Sequence, residues 1–200
     1  NAYVHENHAV FAQLKTSEKS NEITAIPKLL EMLTLKDATV TFDAMGCQKE
    51  IARKIVDNEG HYVMALKGNQ GSLHEDVRTY LDDAIENGFS DPYDIYEYTE
   101  KGHGRIEVRR CWTSGQVEWL NQRHEFPGLA SITAIECQRT IKGKTSVERR
   151  YFLSSHPGRC AQKLACLVRN HWKIENQVHW LLDVCFNEDS CRVRVGNAAE

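Results

Sequence analysis

No apolar stretch in this chain is long enough to cross a bilayer. A spanning helix needs about 18 apolar residues in a row, whereas runs such as 63–66 and 180–182 stop after a few. A secretory leader is missing from the opening residues. The chain starts at Asn1 without a methionine and stops at Glu200 inside a polar run, so it reads as a piece of a longer protein. Also missing is any C-x-x-C pair. The seven cysteines, an odd number, are scattered as Cys47, Cys111, Cys137, Cys160, Cys166, Cys185 and Cys191, the usage of a reducing cytosol rather than a disulfide framework. A zinc site would have to draw on His156, Cys160, Cys166, Cys185 and Cys191 at irregular spacing, and ordinary buried cysteine is the better reading. There is no G-x-x-x-x-G-K-[ST] phosphate loop and no H-E-x-x-H zinc helix, which removes two large enzyme classes.

What is present is an ordinary globular composition: 200 residues, 41% hydrophobic and 26% charged. A chain of that length buries roughly two-thirds or more of its unfolded surface and needs no covalent staple. The net charge of −3 argues against a uniformly basic nucleic-acid binder. The charge is uneven, however. Residues 51–100 carry 4 Lys+Arg against 11 Asp+Glu, while residues 101–150 carry 10 against 5. The second segment is therefore suited either to phosphates or simply to water.

The hydrophobic pattern predicts a strand at 9–14 and a helix starting near Ser20 or Asn21, with Ile23, Ile26, Leu29, Leu30 and Leu33 on one face. A β-branched strand at 38–42 runs into Asp43, a helix covers 48–58, a strand covers 61–66, and a further helix covers 72–86. Strand and helix alternating in this way predict an α/β layer with parallel strands. Residues 93–119 then alternate as strands, and 131–140 and 146–154 flank the hairpin loop Lys142-Gly-Lys144. After Pro157 the chain turns helical to about Leu182. The organisation expected is an α/β part at 1–92, an antiparallel β insertion at 93–156, and a helical part at 157–200.

Asp43 stands at the carboxyl end of a strand, where ligands gather in α/β sheets, though an aspartate there equally suits a turn cap. His171, Glu175, His179 and Asp183 are spaced four apart, each about 6 Å up a helix and about 40° around it from the last. Neighbours share a face, but all four drift too far round to converge on one ion. Trp172 and Trp180 lie within this stripe, an unusual choice for a merely solvated face. Gly102-His-Gly-Arg105 is too short for a dinucleotide fingerprint; it is either a tight turn or a presentation of His103, Arg105, Arg109 and Arg110 to phosphates.

The segments Lys15-Thr-Ser-Glu-Lys-Ser-Asn-Glu-Ile-Thr-Ala-Ile-Pro27, Thr41-Phe-Asp-Ala-Met-Gly-Cys-Gln48, Ala65-Leu-Lys-Gly-Asn-Gln70, His103-Gly-Arg105, Val147-Glu-Arg-Arg-Tyr151 and His171-Trp-x-Ile-Glu-Asn-x-x-His-Trp-x-Leu-Asp183 together resemble ISAs-type bacterial insertion-sequence transposases, which include the H-repeat-associated proteins. The resemblance runs nearly end to end. It implies an RNase H-like α/β catalytic domain of the DDE superfamily, IS-four-like, with an antiparallel β insertion before the last catalytic helix. It implies Asp43 and Glu175 as the second and third acidic ligands of Mg²⁺, or of Mn²⁺, and a protein that cleaves and joins DNA. Hard cations of this kind take oxygen ligands, and two of them can activate a water or 3′-hydroxyl and steady the leaving oxygen. The same resemblance makes Lys67, Asn69, Gln70, His103, Arg105, Arg109, His171, Trp172, Asn176 and His179 candidate DNA contacts. The implied partners are double-stranded DNA at the element ends and target and a second copy in a synaptic complex, with no membrane, in the bacterial cytoplasm at the nucleoid.

The pattern departs from the family in two places. No Asp-Gly-Lys motif for the first acidic ligand occurs in the chain. The Tyr-x-x-Arg-x-x-x-Glu signature is replaced as well, with Val168 at the Tyr position, His171 at the Arg position and Leu182 at the following Lys position. A catalytically inactive DNA-binding remnant and a metal-dependent nuclease on the same fold are the alternatives.

Overall fold

The computed structural model describes residues 2–4, 9–12, 14, 22–102 and 104–174. The elements are β1 (Ala2–Val4), β2 (Ala9–Ala12), α1 (Glu22–Glu31), β3 (Thr39–Phe42), α2 (Lys49–Asp57), β4 (His61–Leu66), α3 (Ser72–Asn87), β5 (Tyr93–Gly102), β6 (Arg105–Ser114), α4 (Glu118–His124), β7 (Ser131–Ile141), β8 (Lys144–Ser154) and α5 (Ala161–Ile174). β1 and β2 form a small antiparallel pair, and the other six strands form one sheet in the order β3-β4-β8-β7-β6-β5. Only β3 and β4 are parallel; β4 meets β8 antiparallel, and the remaining neighbours are antiparallel, with β5–β6 and β7–β8 as hairpins and α4 between β6 and β7. The parallel pair and the antiparallel strands expected for the middle of the chain thus share one mixed sheet. Its parallel part is two strands wide, because β8 rather than another crossover strand occupies the far edge of β4.

Period-two alternation divides the side chains between two faces of this sheet. On one face Tyr62, Met64, Leu66, Trp112, Ile132, Ala134, Tyr151 and Leu153 pack against residues of α1 to α4, among them Leu30, Ile51, Ile55, Val77, Leu81 and Leu120. On the other face Val63, Cys111 and Phe152 pack against Ala161, Leu164 and Ala165 of α5. The result is a helical layer, a sheet, and one helix crossing the back. The start of α5 is tied to β5, where Asp94 Oδ2 accepts a bond from the Ala161 amide at 2.9 Å. Its later turns reach β3 at the opposite edge, as shown below.

α4 is a correction to the strand expected through residue 119. Seven residues are too few for a helical period to register, and Trp119 and Leu120 mimic a strand locally. Leu120 is nonetheless fully buried, and Trp119 donates its indole N–H to the Gln116 carbonyl at 3.0 Å. Lys142 and Gly143 adopt positive φ (48° and 77°) in the β7–β8 turn, the conformation a two-residue hairpin loop requires.

His156 follows β8 and is 3% exposed. Its Nε2 is hydrogen-bonded to Thr39 Oγ1 at 2.9 Å, and its ring stacks on His61 with centroids 4.3 Å apart. Burial, together with the charges of Lys163 and His61, lowers its pKa from 6.5 to about 4. The folded state thus favours the neutral ring, while the unfolded chain takes up a proton below about pH 6.5. Stability is expected to fall as pH drops from 6.5 toward 4, by about 2–3 kcal/mol. A His156→Gln variant melted over the same range should lose much of this pH dependence, and an identical pH profile in both proteins would refute the assignment.

Candidate active site

The parallel strands β3 and β4 end side by side, and each carries a loop at its carboxyl end. Asp43 leaves β3 and folds back on itself, its Oδ1 accepting bonds from the amides of Met45 (3.0 Å) and Gly46 (3.2 Å). Among the described residues these are its hydrogen bonds, and both fall on one oxygen. The carboxylate is exposed and its orientation is set by the backbone. A side chain at position 46 would collide with Phe42, since a Cβ there lies 2.7 Å from the Phe42 ring, so glycine lets the turn close beneath the aspartate.

The β4 loop clasps the β3 loop. After Leu66 the chain makes a single 3₁₀ turn at Gly68–Gln70. From it Asn69 Nδ2 donates to the Ala44 carbonyl at 2.9 Å, and Gln70 Nε2 donates to the Cys47 carbonyl at 2.7 Å. Asn69 and Gln70, expected as DNA contacts, thus hold the backbone on either side of Met45 and Gly46. Lys67 is exposed beside them. Cys47 beneath the loop is buried, and burial pushes its thiol up to about 12, which suits packing and not nucleophilic chemistry. Replacing both Asn69 and Gln70 by alanine leaves two carbonyls without their donors. About 2 kcal/mol of stability should be lost. The movement this allows in Asp43 should lower the activity of an active parent protein by a further 10–100-fold, as for other residues that orient a ligand. Full activity at a temperature where the variant is folded would refute the clasp's functional role.

The end of α5 arrives on the same side. Thr41 Oγ1 and His171 Nδ1 are hydrogen-bonded at 2.9 Å, a contact across 130 residues. Alternation puts Thr39 and Thr41 on one face of the strand that leads to Asp43, and both meet histidines, His156 and His171. Beside His171, Trp172 is 41% exposed and lies over the Arg150 guanidinium, 5.0 Å from ring centroid to Cζ. His103, Glu175, Asn176 and His179 lie outside the described residues, as do Trp180, Asp183, Cys185 and Cys191. The expected proximity of Asp43 and Glu175 thus falls outside the described residues.

The candidate arginines of the β strands are all engaged. Glu107, 2% exposed, accepts from Arg109 Nη2 at 2.5 Å and Arg139 Nε at 2.8 Å, with Arg105 Nε at 3.1 Å. Burial works to raise the Glu107 pKa, but the hydrogen bonds and charges of these arginines outweigh it and hold the carboxyl below its ordinary value. Sequence reasoning passed over Glu107. The signal was available, since Arg105-x-Glu107-x-Arg109 at period two sets all three on one face.

For a divalent cation the donor chemistry is suitable but incomplete on the described residues. Asp43 supplies a hard, exposed carboxylate oxygen held by the loop, and among the described residues no group of three or more His, Cys, Asp or Glu side chains converges on one point. The Nε2 of His156 is taken by Thr39, and Cys160 Sγ lies 2.8 Å from the Pro157 carbonyl.

This strand-end carboxylate in a mixed α/β sheet accords with the family to which the chain is similar: the Transposase DDE domain model matches residues 1–200. The chain belongs to the transposase DDE domain family. It is 43% identical over 202 residues to "H repeat-associated putative transposase YhhI" of Escherichia coli K12, covering 96% of this chain and 51% of that protein. It is likewise 43% identical over 202 residues to YbfL of the same organism, with the same coverage, and 44% identical over 151 residues to an uncharacterised protein of the dhlA 3′ region in Xanthobacter autotrophicus, covering 76% and 50%. The chain spans about half the length of these curated relatives. No solved structure matches it.

Proposed function

We propose that this chain is part of the catalytic domain of an insertion-sequence transposase that cuts at element ends and joins the 3′-hydroxyl to target DNA. The observation that carries the reading is the Thr41–His171 bond. It brings α5 to the strand end that bears Asp43, and Glu175 follows four positions after His171 in the sequence. Asp43 and Glu175 would hold the divalent cation, Mg²⁺ or Mn²⁺. Bound there, the cation would activate the attacking oxygen and stabilise the leaving oxygen of an in-line phosphodiester displacement. Asp43 is kept in one orientation by the Met45 and Gly46 amides, and Asn69 and Gln70 keep that turn in place. Lys67 and Trp172 flank it as candidate contacts to the DNA strand, through charge and base stacking respectively.

The RNase H-like description, with β5 to β8 as the insertion, is part of the same proposal. Among the described residues β3 has a neighbour only in β4, so its other edge suits a further strand carrying the first acidic ligand. The partners proposed are duplex DNA and a second copy in a synaptic complex, and the location proposed is the bacterial cytoplasm; no described helix is long and apolar enough to cross a membrane.

The test is a strand-transfer assay with element-end DNA and Mg²⁺ or Mn²⁺, run on residues 1–200 and on a longer protein that adds an upstream Asp-Gly-Lys segment. The chain alone is expected to be inactive and the longer protein active. Robust strand transfer by residues 1–200 would show that the missing ligand has been wrongly assigned.

A further inference from the structure

The sheet register lays charges on the two faces of the long β strands in different proportions. On the face covered by α3, Arg110 and Arg149 share three carboxylates, those of Glu97, Glu136 and Asp82. These ion pairs are internally satisfied and leave a slight negative excess. On the α5 face the balance is reversed. Arg105, Arg109 and Arg139 fan out from the single buried carboxylate of Glu107. Arg109 and Arg169 both approach Glu100, at 3.6 and 3.3 Å, and Arg150 grips Glu148, which Lys67 also faces. Six cations therefore answer three carboxylates in these ion pairs, one of which is hidden beneath its arginines, and the further carboxylate on this face, Asp94, is turned to the Ala161 amide at the start of α5.

Position matters as much as number. Arg105 and Arg139 keep 43% and 45% of their side chains exposed while their guanidinium groups are tethered, so ordering them on a partner costs little further entropy. Across β7 and β8 the ladder pairs Ile135 with Arg150 and Cys137 with Glu148, so Arg150 lies on the same face, nearer the end of α5, under Trp172. Lys67 follows directly on β4, in the loop that clasps the Asp43 turn. The cations thus form a line from the outer part of the strands to the candidate active site.

We infer that this line, Arg105, Arg139, Arg150 and Lys67 with Arg109 beneath, is a track for the sugar-phosphate backbone of duplex DNA leading to Asp43. The inference rests on the transposase reading and extends it to Arg139 and Arg150 and to one face of the sheet. Backbone contacts of this kind position a duplex without reading its sequence.

The test measures binding of a labelled duplex of about 30 base pairs to the 200-residue chain between 50 and 200 mM salt. It compares the unsubstituted protein with Arg139→Ala/Arg150→Ala and with the control Arg78→Ala/Arg123→Ala, whose exposed arginines pair with Glu75 and Asp76 elsewhere. Thermal melts identify the folded fraction of each. Each lost phosphate contact removes about 0.9 from the slope of log affinity against log salt, so the first pair should flatten it by about 2 and weaken binding about tenfold or more at 100 mM salt. The control pair should leave both unchanged. Equal slopes in all three proteins, or equal losses in both pairs, would overturn the track while leaving the transposase reading intact. No duplex binding by the unsubstituted chain would likewise overturn the track, whereas the transposase reading stands or falls on strand transfer by the longer protein.

Discussion

Asp43→Asn in an active parent protein is expected to reduce metal-dependent end cleavage and strand joining by about a thousandfold, or about 4 kcal/mol of transition-state stabilisation. Asparagine is nearly isosteric. Its side-chain oxygen can still accept from the Met45 and Gly46 amides, so the turn should persist and the melting temperature should change by no more than a degree or two. What asparagine cannot supply is the negative charge that a hard divalent cation requires of its ligand. Activity and stability therefore separate in this variant, and that separation distinguishes a metal ligand from a turn cap. Asp43→Ala should show both losses, since it removes the cap as well. Wild-type strand transfer by Asp43→Asn would eliminate Asp43 as a ligand.

The largest expected loss of stability falls on Glu107→Ala. Three arginines converge on this carboxylate, and Arg109 among them is mostly buried. Removing the anion leaves three like charges crowded together, with only the more distant Glu100 carboxylate near Arg109. Breaking a buried pair from one side costs about 3–5 kcal/mol. In a protein of this size that lowers the melting temperature by roughly 10 °C. Glu59→Ala is the control. Its partner Lys36 and Glu59 itself are both well exposed, and such pairs are worth about 0–1 kcal/mol. Because the Glu107 pKa is depressed in the folded state, its contribution is present at neutral pH and is lost as pH falls below the ordinary carboxylate range. A loss below about 1 kcal/mol at pH 7 would mean that the arginines solvate themselves without it.

Much of the local structure was legible. The strand at 61–66 coincides with β4, the helix expected at 72–86 runs one residue further in α3, and the Lys142-Gly-Lys144 loop separates β7 from β8 as expected. These elements are specified by neighbours in the chain: alternation, a glycine in a left-handed turn, and a polar loop after an apolar run. Short elements were less legible. The alternation was carried two residues into α4, to Trp119, because a seven-residue helix of about two turns has too few positions to display a period. Of the candidate site, Asp43 at a strand end could be read from the chain, and so could a helix through His171; Glu175 lies outside the described residues. The clasp by Asn69 and Gln70 could not. Nothing in Lys67-Gly-Asn-Gln70 records that its amides face the carbonyls of Ala44 and Cys47 and not solvent.

By itself the sequence determined which residues alternate, where most strands begin and end, which side chains share a face, and, through its motifs, the family. Tertiary structure alone decided that β8 lies against β4, that Glu107 is buried under three arginines, and that His171 reaches Thr41 across 130 residues. The physical reason is that strands join through backbone N–H and C=O groups common to nearly every residue. A strand's own residues state which face is apolar but not which strand lies beside it. That choice is made by the whole sheet together with the helices packed on it.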